Sequence, residues 1–289
     1  MTQSWQQAAE ASLGVNIKSK TRLSGGDFAT AYKVRFSNGD LAFIKTHTNP
    51  PANFFSTEAA GLSWLRATST VSIPEVLAHS DTPPFLALEW IETGRASAKT
   101  DEALGVALAG LHGSALPHFG RSDSRTTGSL AVPNNPVQQW SEFYSQQRLL
   151  PLAKIALERQ SLSAADCDSL VRVAENLSAL AAEPEPPSLL HGDLWGGNRL
   201  VDSAGVSWLI DPAAHGGHRE FDLAMMQLFG GYSDRCFAAY HEARPLQPGS
   251  EQRVALHQLA PLVVHAIKFG GSYRSAVRNA IQSSLPLVI

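Results

Sequence analysis

The sequence contains few cysteines, and we expect no segment in it that directs the chain into a secretory pathway. Only two cysteines occur in 289 residues. Cys167 and Cys236 are far apart and lack the CxxC spacing of metal sites. That pattern is typical of small buried side chains rather than of a disulfide, and it suits a reducing compartment. The N-terminus has no basic region before an apolar core, so we expect a cytoplasmic chain with no signal peptide.

Other missing features exclude classes of partner. The formal net charge is only −3, and no basic run or arginine-rich stripe is present. The chain therefore lacks the basic surface that is typical of nucleic-acid-binding proteins. The longest apolar stretches, such as residues 254–267, are interrupted by histidine and glutamine and are too short to span a bilayer. We predict that neither nucleic acid nor a membrane is a partner.

The most informative stretch is the motif HGDLWGGN at residues 191–198, which is followed by Asp211 at the end of an apolar run. Phosphoryl transfer needs a carboxylate that orients the attacking hydroxyl and hard oxygen ligands for magnesium on the nucleotide. Asp193 fits the first role, and Asn198 and Asp211 fit the second. The residues between Asn198 and Asp211 predict two short strands around a turn, which would bring the two side chains together.

Each acidic residue of this set also has a simpler interpretation. An aspartate in a glycine-rich segment commonly forms an Asx turn, and an aspartate after a strand commonly caps it or lies in a solvated loop. Those interpretations suit Asp193 or Asp211 taken alone. The order of the residues and the His-x-Asp-x4-Asn spacing of the protein-kinase catalytic loop favour a phosphotransfer site.

The N-terminal part of the sequence is predicted to form strands, and it contains residues that could bind phosphate. Gly25 and Gly26 precede a predicted hairpin, where missing side chains would let backbone amides approach a phosphate; a purely structural turn is the alternative. Lys45 ends an apolar strand, and Glu58 follows on a predicted helix. A lysine in an apolar site needs a carboxylate partner, and Glu58 is the natural candidate. An exposed lysine and an exposed glutamate are the alternative.

The predicted strand that ends in Glu89-Trp90-Ile91 runs into a flexible connection. In a two-lobed kinase this connection is the hinge, whose backbone groups bind adenine. We predict an N-terminal nucleotide-binding lobe at 1–88, the hinge at 89–93 and a catalytic and substrate lobe at 94–289. Apolar residues beyond the hinge recur at helical spacing, and His112 is expected to be a core or helix-end residue rather than a catalytic one.

At this point the sequence resembles a known family over nearly its full length. The family is the fructosamine kinases, also called ketosamine-3-kinases, a branch of the protein-kinase-like small-molecule kinases. The core His-Gly-Asp motif is shared with aminoglycoside and choline kinases, but the tryptophan after it and the Gly-His-Arg-Glu-x-Asp string at 217–222 narrow the match. The other segments that carry the resemblance are 108–112, 119–120, 140–144, 148–151, 211–213, 228–232, 245–249 and 265–270.

The resemblance implies a fold and a reaction. The fold is α/β (α+β), two-lobed and protein-kinase-like, with a small β-rich N-lobe and a larger, mainly helical C-lobe. The reaction is the phosphorylation of the sugar 3-hydroxyl of a ketoamine by ATP with Mg²⁺, after which the adduct is unstable and the amine is recovered. The ketoamine is a small molecule or is bound to a protein. The residues alone indicate only a kinase of a small hydroxyl compound.

The resemblance also implies roles for individual residues. Lys45 corresponds to the phosphate lysine and Glu58 to its partner, Asp193 to the catalytic base, and Asn198 and Asp211 to the metal ligands. The remaining positions concern the loop and the substrate. Asp222 is expected to brace the catalytic loop by hydrogen bonds, Trp195 to cover the apolar face of a sugar or to be a core residue, and His265 to line the substrate pocket.

Two rival functions remain open on the sequence. The first is a kinase of another small alcohol, such as an aminoglycoside, choline or another sugar. An aminoglycoside kinase should offer clustered carboxylates to a polycation, whereas the C-terminal part has few, and the stretch 241–244 is mixed in charge. The second is a nucleotide-binding pseudokinase scaffold. Such a chain commonly loses the base or a metal ligand, and this one keeps both.

Overall fold

The N-terminal region of the computed structural model is an antiparallel sheet, and the region after it is mainly helical. The structure describes residues 4–24, 29–125, 130–177 and 185–288. The sheet has five strands in the order β1-β2-β3-β5-β4. Its elements are α1 (Trp5–Leu13), β1 (Ile17–Arg22), β2 (Thr30–Phe36), β3 (Leu41–Thr46), α2 (Phe54–Ala67), β4 (Val76–Asp81) and β5 (Pro84–Glu89).

The two faces of this sheet pack against different helices. Successive side chains of a strand point to opposite faces, so Ala42 and Ile44 of β3 pack with the buried alanines of α1. Phe43 lies on the other face, against the apolar side of α2. Lys45 follows on that same face and is only 7% exposed. The strand period therefore directs this lysine toward α2, where Glu58 lies.

The C-terminal region contains most of the helices. They are α3 (Ala98–His112), α4 (Trp140–Tyr144), a π-helical turn (Ser145–Leu149), α5 (Leu150–Glu158), α6 (Ala164–Glu175), α7 (Glu220–Phe229), α8 (Asp234–Ala243), α9 (Ser250–Phe269) and α10 (Tyr273–Val288). Two small antiparallel sheets of two strands each lie among these helices. One is formed by β6 (Ser188–Leu190) and β9 (His215–Gly217), and the other is a hairpin of β7 (Arg199–Val201) and β8 (Ser207–Leu209). This two-region architecture confirms the predicted fold class.

One hydrophobic cluster is shared by the two regions. It runs from α2 and β5 into α3 and on to α7 and α8. Both cysteines are buried and free, Cys236 within this cluster and Cys167 in the core of the C-terminal helices, as predicted from their spacing. No helix in the described ranges combines the length and the apolar character needed to cross a bilayer.

The β7–β8 hairpin joins the segment predicted to be the hinge. Gly94 N donates to Val201 O at 2.7 Å, and Ser203 N donates to Glu92 O at 3.2 Å. β5 continues to Glu89, one residue into the predicted hinge. The boundaries 1–88, 89–93 and 94–289 otherwise stay a prediction.

A buried polar cluster ties α7 to α9. The guanidinium of Arg253 donates to both oxygens of Glu220, at 2.6 and 2.9 Å. His257 Nε2 lies 3.3 Å from the same carboxylate, and the His257 ring stacks on His218 with centroids 5.3 Å apart. His218, Glu220 and His257 are close enough to hold a metal ion. Because Arg253 already engages both carboxylate oxygens, we interpret the cluster as an ion-pair network.

We expect the cluster to make stability depend on pH. Burial lowers the pKa of His218 to about 4, whereas an unfolded histidine titrates near about 6.5. The folded state favours the neutral ring, so this contribution is complete above about pH 6.5 and is lost as the pH falls toward 4. At pH 5 the loss from His218 should be about 2 kcal/mol.

Urea unfolding at about pH 7.5 and about pH 5 measures this effect. The wild-type protein should lose more unfolding free energy between the two conditions than the His218→Gln variant, which cannot take up this proton. An equal loss in both proteins would show that His218 does not titrate as its burial indicates.

Candidate active site

The HGDLWGGN motif forms the loop between β6 and β7, and His191 connects it to the segment after β8. His191 Nε2 lies 3.0 Å from the carbonyl oxygen of Ile210, while His191 O accepts from Ala213 N at 2.9 Å. Gly192 has a φ of 80°, and a Cβ there would meet the Ala213 carbonyl. The loop therefore approaches the Asp211 segment at a distance that only glycine permits.

Asp222, on α7, holds the loop from behind. Its two carboxylate oxygens accept from His191 N at 2.7 Å and from Gly192 N at 2.9 Å. His112 Nε2 lies 3.3 Å from the same carboxylate, and His112 Nδ1 lies 2.9 Å from Tyr240 Oη. Burial alone would raise the pKa of Asp222, but the His112 contact and the backbone donors keep it below its usual value. Asp222 thus braces the loop as predicted, and His112 is a buried helix-end residue.

The side chain of Asn198 hydrogen-bonds to both Asp193 and Asp211. Its Nδ2 donates to the backbone oxygen of Asp193 at 2.9 Å, to Asp193 Oδ2 at 3.1 Å and to the backbone oxygen of Asp211 at 3.4 Å. Burial raises the pKa of Asp193 to about 7, although the Asn198 hydrogen bond opposes the shift. Asp211 adopts a φ of 53°, a left-handed conformation that aspartate tolerates better than most residues. The structure therefore brings Asp193, Asn198 and Asp211 together.

Lys45 is the centre of the charged part of the site. Its ammonium lies 2.5 Å from Glu58 Oε1 and 2.6 Å from Asp211 Oδ1. Burial disfavours the charge on Lys45, but the two carboxylates outweigh burial and raise its pKa. Burial raises the pKa of Glu58 to about 7 against the attraction of Lys45. The predicted Lys45–Glu58 pair is present, and it extends to Asp211 from the other region of the fold.

The residues predicted to bind adenine lie at the end of β5. Glu89 Oε2 accepts from Glu75 N at 3.1 Å, and Trp90 Nε1 donates to Glu92 Oε2 at 2.9 Å. Ile91 is buried at 8% exposure. The side chains of Glu89 and Trp90 are thus engaged by neighbouring protein groups. The predicted binding of adenine would therefore use the backbone groups of this segment. Gly25 and Gly26, predicted at the phosphates, lie outside the described residues.

The two candidate substrate residues belong to one aromatic series. Trp195 is 43% exposed next to Asp193, which disfavours the alternative of a core tryptophan. The Trp195 ring covers Gly197, where a Cβ would collide with it. Its centroid lies 6.4 Å from that of Phe229, which lies 4.4 Å from that of His265. Trp195 and His265 are thus linked through Phe229, a residue that the sequence did not single out.

Sequence reasoning also missed groups that support the site. His191 is the first residue of the HGDLWGGN motif. Its place in the motif could have indicated that it supports the loop. Arg199, which follows Asn198, forms a 2.6 Å ion pair with Asp101 at the start of α3. No local pattern points to that pair, because its partners are 98 residues apart.

The donor set suits a nucleotide and its magnesium ion. Asn198 Oδ1 accepts no hydrogen bond from the residues that the structure describes, and the Asp211 side chain is 44% exposed. Both offer the hard oxygen atoms that magnesium prefers. Lys45 supplies a fixed cation beside them. The arrangement can hold phosphates between a lysine and two oxygen ligands while Asp193 faces an acceptor hydroxyl.

Comparison with solved structures identifies the fold. A thermostable mutant of an aminoglycoside phosphotransferase matches with a TM-score of 0.59 and 15% identity, over 98% of both chains. At that identity the likeness shows the fold alone, which is protein-kinase-like.

Relatives at higher identity show the family. The sequence model of the fructosamine kinase family matches residues 1–286. A Lactiplantibacillus plantarum protein described as "Probable ketoamine kinase" is 36% identical over 265 residues, covering 91% of this chain and 92% of that protein. The crystal structure of a protein assigned as a fructosamine-3-kinase of Thermobifida fusca matches with a TM-score of 0.90 at 35% identity, covering 98% of this chain and 99% of that one.

The chain belongs to the fructosamine kinase family. It is an ATP-dependent phosphotransferase with an alcohol group as acceptor, and the resemblance seen in the sequence is confirmed.

The contact between Lys45 and Glu58 predicts coupled effects of substitution. Lys45→Met removes the cation and should lower ATP turnover about a hundredfold. Glu58→Gln should lower turnover too, because it leaves the lysine without its buried carboxylate. Since the two residues act as one unit, the double variant should be little worse than Lys45→Met alone.

Steady-state ATP turnover of the two single variants and the double variant measures this coupling. Lys18→Met is the matched control, since Lys18 is an exposed lysine on the same sheet and its replacement should leave turnover near the wild-type value. Fully additive free-energy losses in the double variant would show that Glu58 does not act through Lys45.

Proposed function

We propose that the enzyme phosphorylates the sugar 3-hydroxyl of a ketoamine, the product of glucose or ribose with an amine. The observation that carries the proposal is the juxtaposition of Asp193, Asn198, Asp211 and Lys45 in a member of this family. The new bond joins the sugar oxygen to the γ-phosphorus of ATP. The bond between that phosphorus and the β–γ bridging oxygen breaks, and ADP leaves.

Asp193 has the properties of the base in this transfer. It lies in a loop that Asn198 and Asp222 hold in place, and it is partly buried there. With its pKa near 7, the carboxylate takes up a hydroxyl proton more readily than an ordinary aspartate would, because a base works best when its pKa is close to the working pH. Its further role is to aim the sugar oxygen at the phosphorus.

Asn198, Asp211 and Lys45 have the properties of the phosphate and metal ligands. A bound Mg²⁺ would neutralise charge on the phosphate oxygens. Asn198 Oδ1 and the Asp211 carboxylate would hold it. A metal held by Asp211 would compete with Lys45 for that carboxylate, and the contact with Glu58 would keep the ammonium positioned beside the phosphates.

The proposed product and compartment follow from the same function. A phosphate on the 3-oxygen destabilises the sugar adduct, so the reaction removes sugar from the amine. The acceptor is a ketoamine that is either free or attached to a protein amine. We place the enzyme in the cytoplasm, where two free, buried cysteines remain reduced.

A substrate panel tests the proposal. ATP consumption is followed with fructosyl-lysine, ribulosyl-lysine, kanamycin and choline, and ³¹P-coupled NMR identifies the carbon that carries the new phosphate. Turnover of a ketoamine with phosphate on carbon 3 is the expected result. Turnover of kanamycin or choline without any ketoamine would overturn the proposal.

The roles of the two aspartates predict different defects. Asp193→Asn keeps the size of the side chain but removes the base, so ketoamine turnover should fall about a hundredfold or more while magnesium-dependent ATP binding persists. Asp211→Asn removes charge from the metal site, so both turnover and magnesium-dependent binding should fall. Calorimetry of ATP binding with and without Mg²⁺, beside turnover assays, separates the two. Near-normal turnover of Asp193→Asn would refute its assignment as the base.

A further inference from the structure

An aromatic strip leads from the catalytic base across the surface of the C-terminal helices. We use this name for Trp195, Phe229, His265, Phe269 and Tyr273. The His265 ring is the junction, with centroids 4.4 Å from Phe229, 5.5 Å from Phe269 and 5.0 Å from Tyr273. The rings come from the catalytic loop and from the ends of α7, α9 and α10 that meet beside it.

The two ends of the strip face solvent. Trp195 is 43% exposed and Phe269 is 52% exposed. Neither ring belongs to a hydrophobic cluster formed by the residues that the structure describes. The exposed Phe269 ring also packs against Tyr273, with a distance of 6.2 Å between the two ring centroids. Tyr273 packs against the core of the C-terminal helices, so the strip is anchored there while the rings at its two ends stay exposed. Exposed rings connected in this way indicate a binding surface.

A cation lies beside the strip. Lys268 precedes Phe269 in the last turn of α9, is exposed, and forms no ion pair with any residue in the described part of the chain. Because Lys268 immediately precedes Phe269, it lies at the solvent-facing end of the strip. Its charge also opposes the rise that burial causes in the pKa of Asp193. A substrate group that extends along the strip toward Phe269 would meet this charge.

A ketoamine presents matching chemistry in the same order. Its sugar carries the reacting hydroxyl, a secondary ammonium follows, and the remainder of the amine extends beyond it. The face of a tryptophan attracts an ammonium, and exposed rings bind an apolar or aromatic body. A carboxylate on the carbon next to the nitrogen would meet Lys268.

We propose that the aromatic strip and Lys268 bind the amine-derived part of the substrate and select ketoamines formed on free amino acids with an apolar or aromatic side chain. This inference depends on the proposed ketoamine kinase function. Ketoamines on protein lysines lack a carboxylate next to the modified nitrogen, so they could not form the proposed contact with Lys268.

The test uses three fructose adducts that differ only in the amine. The phenylalanine adduct carries both the ring and the carboxylate, the phenethylamine adduct lacks the carboxylate, and the glycine adduct lacks the ring. For the wild-type enzyme we expect kcat/KM to be about fivefold higher with the phenylalanine adduct than with the phenethylamine adduct. It should be about tenfold higher than with the glycine adduct.

Two variants assign each preference to its residue. Lys268→Met should abolish the preference for the carboxylate, and Phe269→Ala should abolish the preference for the ring. The ratio between substrates is the readout, because removal of a charge near Asp193 changes the rate with every substrate alike. The carboxylate preference of the wild-type enzyme should also weaken at high salt, since both charges are exposed. Lys99→Met and Val106→Ala, two exposed positions on α3, are matched controls that should keep both ratios.

The outcomes separate this inference from the proposed function. If all three adducts are phosphorylated with equal kcat/KM, or if the variants keep the wild-type ratios, the strip does not select the amine and the ketoamine kinase proposal stands. If a protein-bound lysine adduct is preferred over the phenylalanine adduct, the inference is likewise overturned. If neither these adducts nor fructosyl-lysine and ribulosyl-lysine are phosphorylated, the proposed function itself fails.

Discussion

The geometry of the active site depends on one buried carboxylate. Asp222 is fully buried and accepts hydrogen bonds from two consecutive backbone amides of the catalytic loop. Hydrogen bonds to an ionised acceptor are stronger than those between neutral groups, and leaving such a charge unpaired in the interior is costly. The loop must therefore adopt the one conformation that satisfies it. His112 and Tyr240 extend the network to α3 and α8, so the position of Asp193 is set by the packing of three helices.

The second constraint is electrostatic and connects the two regions of the fold. Lys45 rises from the N-terminal sheet, Glu58 from α2 and Asp211 from the end of the β7–β8 hairpin. A buried ammonium is tolerated only when it is paired, and here it has two partners on opposite sides of the site. The same hairpin bonds to the hinge segment. Lys45 and the hairpin therefore connect the Asp211 segment to the N-terminal sheet and to the chain that follows β5.

The sequence predicted the parts of the site that are encoded locally. The spacing of the HGDLWGGN motif located Asp193 and Asn198. The pair of Lys45 with Glu58 was predicted because a lysine in an apolar site needs a carboxylate partner. The brace from Asp222 came from the family resemblance. Other features join residues far apart with no periodic pattern: Arg199 with Asp101, Val201 with Gly94, and His265 with Phe229. Such pairs arise only when helices and loops are packed. β5 continues through Glu89, which pairs with Ala42 of β3 and is the first residue of the predicted hinge.

The chemistry at Asp193 does not distinguish one hydroxyl compound from another, so selectivity must arise beyond the phosphate site. An aminoglycoside phosphotransferase has the same fold and must accept a polycation. In this chain Lys268 places an exposed ammonium beside the aromatic strip, and such a charge repels a polycation and attracts a carboxylate. The strip adds affinity for an apolar body without fixing its orientation, because aromatic surfaces contribute mainly through area. In the proposed reaction, the loop that carries Asp193 positions the groups for phosphate transfer, and the corner between α9 and α10 selects the acceptor.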